Sequence, residues 1–127
     1  MEIEVLTICD NAQDYQGKLV VVGTFTTIIS NQIPFNQPSF ALACRFRFSP
    51  DEAGEKKFSF SFKRSNGQEF LPGMEASINV PENLTEDHPA NLILGFNNLS
   101  FDEVGSYILE VKSDSFNRKI PLYIKKL

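Results

Sequence analysis

The sequence predicts an all-β protein, a β-sandwich of seven to nine mainly antiparallel strands, and three observations carry that prediction. Apolar and polar residues alternate in short segments, most clearly over residues 40–48 and 57–63. Turn formers such as Asn66-Gly67 and Pro72-Gly73 punctuate the chain between such segments. No stretch keeps a helical period for more than about ten residues, and no internal repeat marks a solenoid or propeller.

Residues 2–9 are the first strand, and 10–17 is a polar loop whose turn Asp10 caps through its side chain. Residues 18–29 are the second strand, with Gly23 inside it marking a bulge or a close backbone approach. The run Leu19-Val20-Val21-Val22 is apolar on both faces, which suits a central position. Loop 30–39, with Pro34 and Pro38, leads to the strand 40–48, where Phe40, Leu42, Cys44, Phe46 and Phe48 share the inner face. In 57–63 the inner row is Phe58, Phe60 and Phe62. The connection 49–56 is rich in turn formers, so these two strands form an antiparallel hairpin. Avoiding like charges directly opposite each other selects the register that sets Arg47 against Ser59 and Arg45 against Ser61. A short strand over 68–71, then strands 74–80, 91–97, 105–113 and 118–126, complete the set, with a polar loop over 81–89. Pro121 has no amide to donate, which places the last strand at a sheet edge.

With 127 residues, 42% of them hydrophobic and twelve of them Phe, the chain suits one domain, 1–127, with ample core. A net charge of −4 argues against nucleic acid and anionic membranes as partners. Met1-Glu2-Ile3-Glu4-Val5 lacks the basic start and apolar run of a secretory leader, and no apolar stretch approaches the ~20 residues of a membrane helix. The expected setting is therefore cytoplasmic, with Cys9 and Cys44 reduced and the Asn83 and Asn98 glycosylation triplets chance matches.

Near the C-terminus, Glu103-x-Gly105-x-Tyr107-x-Leu109 resembles the acidic-x-Gly/Ala-x-Tyr-x-Cys signature of immunoglobulin-like domains. That resemblance implies an immunoglobulin-like sandwich with Gly105 and Tyr107 at a structural corner, the Tyr107 hydroxyl bonding to backbone near Phe101–Glu103. Leu109 stands where that signature has cysteine, so apolar packing replaces a disulfide. In immunoglobulin-like order the 105–113 strand lies beside 40–48, with the last strand next to it. A second pattern is Cys9-Asp10-x-Ala12, Gly17-Lys18-Leu19, Gly23-x-Phe25 and Ile33-Pro34, followed by Phe101, Gly105 and Tyr107. It resembles a family of small bacterial β-sandwich proteins of unknown function, in which phenylalanine usually precedes the proline. The resemblance implies a bacterial cytoplasmic sandwich and brings no catalytic residue with it.

The residues themselves carry little chemistry. His88, the only histidine, sits between Asp87 and Pro89 in a polar loop and fits a solvated surface residue better than a catalytic relay. Cys9-Asp10 lacks the adjacent cation, base or helix N-terminus that a reactive thiolate needs. Neither Glu82, Glu86, Asp87 and His88 nor Asp51, Glu52 and Glu55 has the ligand spacing of a calcium or zinc site. No phosphate-cradling glycine loop is present. A non-enzyme without cofactor or metal is expected. The remaining signal is charge: Arg45, Arg47, Lys57 and Lys63 fall on one outer face, joined by Ile108 and Tyr123. This face of the 40–48/57–63/105–113 sheet is the candidate surface for a protein partner or for self-association. A different class of function, small-ligand or carbohydrate binding, would use loops 10–17, 30–39 and 81–90, although the chain has no Trp for sugar stacking.

Overall fold

Two rows of phenylalanines organise the molecule. The computed structural model describes Met1–Leu127, and its nine strands form the two sheets of a β-sandwich. The four-stranded sheet has the order β2 (Lys18–Thr24), β1 (Glu2–Tyr15), β4 (Phe35–Phe48), β7 (His88–Phe101). The five-stranded sheet has the order β3 (Thr27–Ser30), β9 (Phe116–Lys126), β8 (Gly105–Ser113), β5 (Gly54–Arg64), β6 (Glu69–Val80). All pairings with a defined register are antiparallel except β3 with β9.

The chain divides into two compact units that follow the sheets. The first comprises Met1–Phe25, Gln37–Glu55 and Ile78–Leu99. Its core contains Phe40, Leu42, Cys44, Phe46 and Phe48 from β4 with Ile8 and Phe96, all buried. Phe40 meets Phe96 at 4.9 Å between ring centroids, in a stacked geometry. The second unit comprises Thr26–Asn36, Lys56–Ser77 and Ser100–Leu127. Its core contains Phe58, Phe60, Phe62, Tyr107, Leu109, Val111, Leu122 and Ile124. Each such Phe is worth roughly 1.5–3 kcal/mol over its exposed state, so the period-2 rows are the dominant local determinant of the fold. The inner faces assigned from alternation in 40–48 and 57–63 are the buried ones.

The partners of those two strands differ from expectation. β4 and β5 do not form a hairpin, because β4 lies in the four-stranded sheet between β1 and β7, and β5 lies in the other sheet between β8 and β6. After β4 the chain makes a single turn of 3-10 helix, Pro50–Glu52, where Ser49 and Glu52 cap each other. It leaves through Gly54 at φ +115°, in the left-handed region that glycine occupies without cost. Lys63 thus faces Ile108, and Ser61 faces Glu110, which avoids like charges through a different partner strand. The 105–113 strand likewise lies beside β5 rather than beside 40–48, although β9 does follow it.

Two loop assignments and one strand assignment also change. Residues 10–15 continue β1, and the turn is only Gln16-Gly17, closed by the Gly17 amide donating to Asp14 Oδ1 at 2.9 Å. Asp10 caps no turn: it lies over Gly23 (φ +67°), where an added Cβ would come 2.7 Å from Asp10 Oδ2. The 18–29 segment divides at Phe25-Thr26, with β2 at the edge of one sheet and β3 at the edge of the other. β2 is thus an edge strand rather than a central one, and Val20 and Val22 are exposed. Residues 35–39 belong to β4. Pro121 lies on β9, which is not terminal in the sheet order. The Tyr123 amide donates to Thr26 O, so the nitrogen two residues earlier points to the same side, where β3 has not begun to pair. The missing donor at Pro121 still falls on a locally open edge.

Candidate functional site

The six residues assigned to a partner surface separate into two sets. Arg45 and Arg47 stand on the outer face of β4, and both are engaged within the first unit. Arg45 Nε donates to Glu4 Oε1 at 3.1 Å, and its Nη1 donates to Gly17 O at 3.0 Å and to Asn91 Oδ1 at 2.8 Å. Arg47 pairs with Asp87 at 2.8 Å and with Glu4 at 3.5 Å. Asn91 Nδ2 donates to Asp14 Oδ2 at 3.0 Å and to Gly17 O at 3.2 Å. Together these bonds clasp the tip of the β1–β2 hairpin to the start of β7 and the end of β4. The Asn91 bond, then the Gly17 amide, hold the Asp14 carboxyl below the usual carboxylate range. Its bond to Asp87 raises the Arg47 guanidinium above its ordinary value.

Under the clasp lies an apolar cluster of Cys9, Ala41 and Ala43, packed by Ala12, Leu19, Val21 and Ile93. Small side chains on β4 let the curled hairpin approach closely, which is why Ala41 and Ala43 precede the arginines in the outward row. The outer face of this sheet is thus occupied by its own hairpin.

Lys57, Lys63, Ile108 and Tyr123 stay together on the outer face of the five-stranded sheet. The ladder sets Lys63, Ile108 and Pro121 in one row, Ser61, Glu110 and Lys119 in the next, and Ser59, Lys112 and Asn117 beyond. Tyr123 lies opposite Ser106 and Thr27, and Lys125 opposite Ile29. Through the paired stretches of β5, β8 and β9, Glu110 is the only acid on this face, against Lys63, Lys112, Lys119 and Lys125. Its carboxylate lies 3.7 Å from Lys112 Nζ and 4.0 Å from Lys119 Nζ. A shallow depression of about 220 Å³ opens here, lined by Ser61, Lys63, Ile108, Glu110 and Lys119 among others. Tyr123 is 39% exposed. Lys112, Lys119 and Lys125 were legible in the sequence, since Leu109, Val111, Ile120, Leu122 and Ile124 turn inward and alternation sends their neighbours out.

The corner is built as its spacing predicts. Tyr107 is buried, and its hydroxyl donates to Glu103 O at 2.9 Å. Gly105 turns the chain at φ +132°. The sequence did not single out Arg64, whose Nη1 donates to the Tyr107 hydroxyl at 3.0 Å and whose Nη2 donates to Asp102 at 2.9 Å. Its guanidinium lies 5.4 Å above the Phe70 ring centroid and 5.5 Å above that of Tyr107. The available signal was parity: an arginine in the inward row of β5 must find acids and rings. Burial raises the Tyr107 phenol above its ordinary value, and the Arg64 bond lowers the Asp102 carboxyl.

The remaining groups offer little chemistry. Cys9 and Cys44 are free and buried, and desolvation pushes the Cys44 thiol up to about 12 and raises Cys9 as well. Thiols shifted this way are poor nucleophiles at neutral pH. His88 opens β7, while Asp87 beside it is bound to Arg47. Of the loops assigned to a ligand, 10–17 and 81–90 come together at the clasp, through Asn91 on Asp14 and Gly17 and Arg47 on Asp87, and these polar groups are engaged with one another.

The chain belongs to a family of unknown function (DUF6941), whose model matches residues 4–125. No curated protein matches it. Among solved structures it is similar to a β-glucosidase from Listeria innocua in complex with isofagomine, at 8% identity and a TM-score of 0.51. The match covers 98% of this chain and spans only 16% of that enzyme, so it bears on the fold alone.

Proposed function

We propose that the protein is a non-catalytic interaction module of the bacterial cytoplasm that receives an acidic segment of a protein partner on the outer face of β5, β8 and β9. One observation carries this reading: Lys63, Lys112, Lys119 and Lys125 share one face of a chain whose net charge is −4, Lys63 and Lys119 lining a shallow depression there, with Ile108 and Tyr123 on the same face. A positive face on an acidic protein orients an approaching acidic partner, and an exposed tyrosine beside an isoleucine supplies an apolar anchor. Arg45 and Arg47 no longer belong to this surface, because their guanidinium groups are committed to Glu4, Gly17, Asn91 and Asp87. The buried thiols and the engaged Asp87 support a non-enzymatic role. The corner at Tyr107 and the place of β8 between β5 and β9 support an immunoglobulin-like sandwich.

The test replaces Lys63 and Lys119 with Glu, confirms an unchanged melting temperature, and compares captured partners in cell lysate with those of the wild type and of Arg47→Ala. A partner lost only with the double lysine variant, and released from the wild type by raised salt, is expected. An unchanged partner set overturns the assignment.

A further inference from the structure

We infer that β2 pairs antiparallel with β2 of a second copy about a two-fold axis at Val21, joining two four-stranded sheets edge to edge. The inference rests on how the four edges of the two sheets differ, and so is independent of the lysine face. Edge strands present unpaired amides and carbonyls, and proteins guard them with short length, proline or irregular backbone. β3 is only four residues long. β6 carries Pro72, and β7 carries Pro89 and a left-handed Asn98 at φ +54°. β2 has seven residues and no proline, its one left-handed residue, Gly23 at φ +67°, lies one position from its end, and Val20 is 41% and Val22 54% exposed on the side away from Leu19 and Val21.

The strand is also complementary to itself. With the axis at Val21, Val20 lies opposite the partner's Val22, Leu19 opposite the partner's Gly23, and Lys18 opposite the partner's Thr24. Both exposed valines then cover one another, Leu19 gains the room that glycine leaves, and no like charges face across the seam. Moving the axis to Val20 would set Lys18 against a valine, and moving it to Val22 would set Val20 against Thr24. A register offset by one residue would align the valine face of one copy with the covered face of the other. Seven residues extend about 24 Å. A strand seam of that length falls short of the ~800 Å² per partner of a durable complex, so the dimer is weak and forms at high protein concentration.

Sedimentation velocity over a concentration series tests this on the full chain. The wild type is expected to shift from monomer to dimer. Val20→Lys with Val22→Lys, both at exposed positions, should raise the dissociation constant at least tenfold without changing the melting temperature. Amide exchange supplies a second reading that is indifferent to folding of the variant: in the wild type, outward-pointing amides of β2 should slow as concentration rises, while those of β7 should not. A wild type that stays monomeric, or a dimer that survives the lysine pair, overturns the inference. A dimer lost with Lys63→Glu and Lys119→Glu but kept by the β2 variant also overturns it, and assigns self-association to the lysine face instead.

Discussion

The outer faces of the two sheets both carry rows of cations, and they use them in opposite ways. On the four-stranded sheet Arg45 and Arg47 meet Glu4, Asp87, Asn91 and a backbone carbonyl, because the β1–β2 hairpin curls over the small side chains of Ala41 and Ala43. On the five-stranded sheet no strand curls over the row, and of Lys63, Lys112, Lys119 and Lys125 only Lys112 and Lys119 approach a carboxylate, that of the half-buried Glu110. The planar guanidinium with its fixed fork suits the first setting, where several acceptors converge, and the single-point ammonium suits the second. Cations placed by the same alternation thus become structure on one sheet and a solvent-facing surface on the other. What decides is whether the chain supplies its own acceptors.

The contrast is broken most severely at the floor of the clasp. Ala43→Leu inserts three carbons into a fully buried site beneath the hairpin and should cost about 3 kcal/mol, the upper end of the overpacking range, measured by urea unfolding. Removing the clasp itself is milder. Arg45→Ala leaves Gly17 O and Asn91 Oδ1 without their shared donor and should cost roughly 1–2 kcal/mol, read as a fall of about 4 °C in melting temperature per kcal/mol. Lys63→Ala, which removes an exposed cation from the other face, should stay within about 0.5 kcal/mol. Equal losses from the two substitutions would erase the distinction between the faces.

The smallest effect is in acid. The Asp14 carboxyl is lowered in the fold by Asn91 and the Gly17 amide, so its contribution is complete above its unfolded value near 3.8 and fades as pH falls through the lower folded value. Asp14→Asn should flatten the acid limb of a melting-temperature profile in that window, whereas Lys63→Ala should leave its shape unchanged. A limb identical in wild type and Asp14→Asn would remove Asp14 from the clasp's energetics.

Much of the geometry was legible before any tertiary contact was known. Alternation in 40–48 and 57–63 names the residues that are buried, and the spacing from Glu103 to Tyr107 names the hydroxyl that ties the corner. The misassigned hairpin between β4 and β5 shows where this reading runs out. A turn-rich connection with phenylalanine rows on both sides is equally compatible with a hairpin and with a step from one sheet to the other, since both bury the same rows. The valine run in β2 misled for a related reason: apolar residues on both faces indicate cover, and here the cover on one face comes from Ala41, Ala43 and Ile93 while the strand itself remains an edge. Arg64 escaped notice because it sits at the end of a basic run, and only its partners Asp102 and Tyr107 reveal it as part of the corner.

By itself, then, the sequence determined the strand class, the inward rows and the corner, because side-chain alternation and turn chemistry act over a few residues. Which strand pairs with which, where the hairpin tip comes to rest, and which cations remain free were decided only by the tertiary structure. Backbone donors and acceptors are alike in every strand, so pairing is chosen by the packing of distant segments rather than by the strand's own residues.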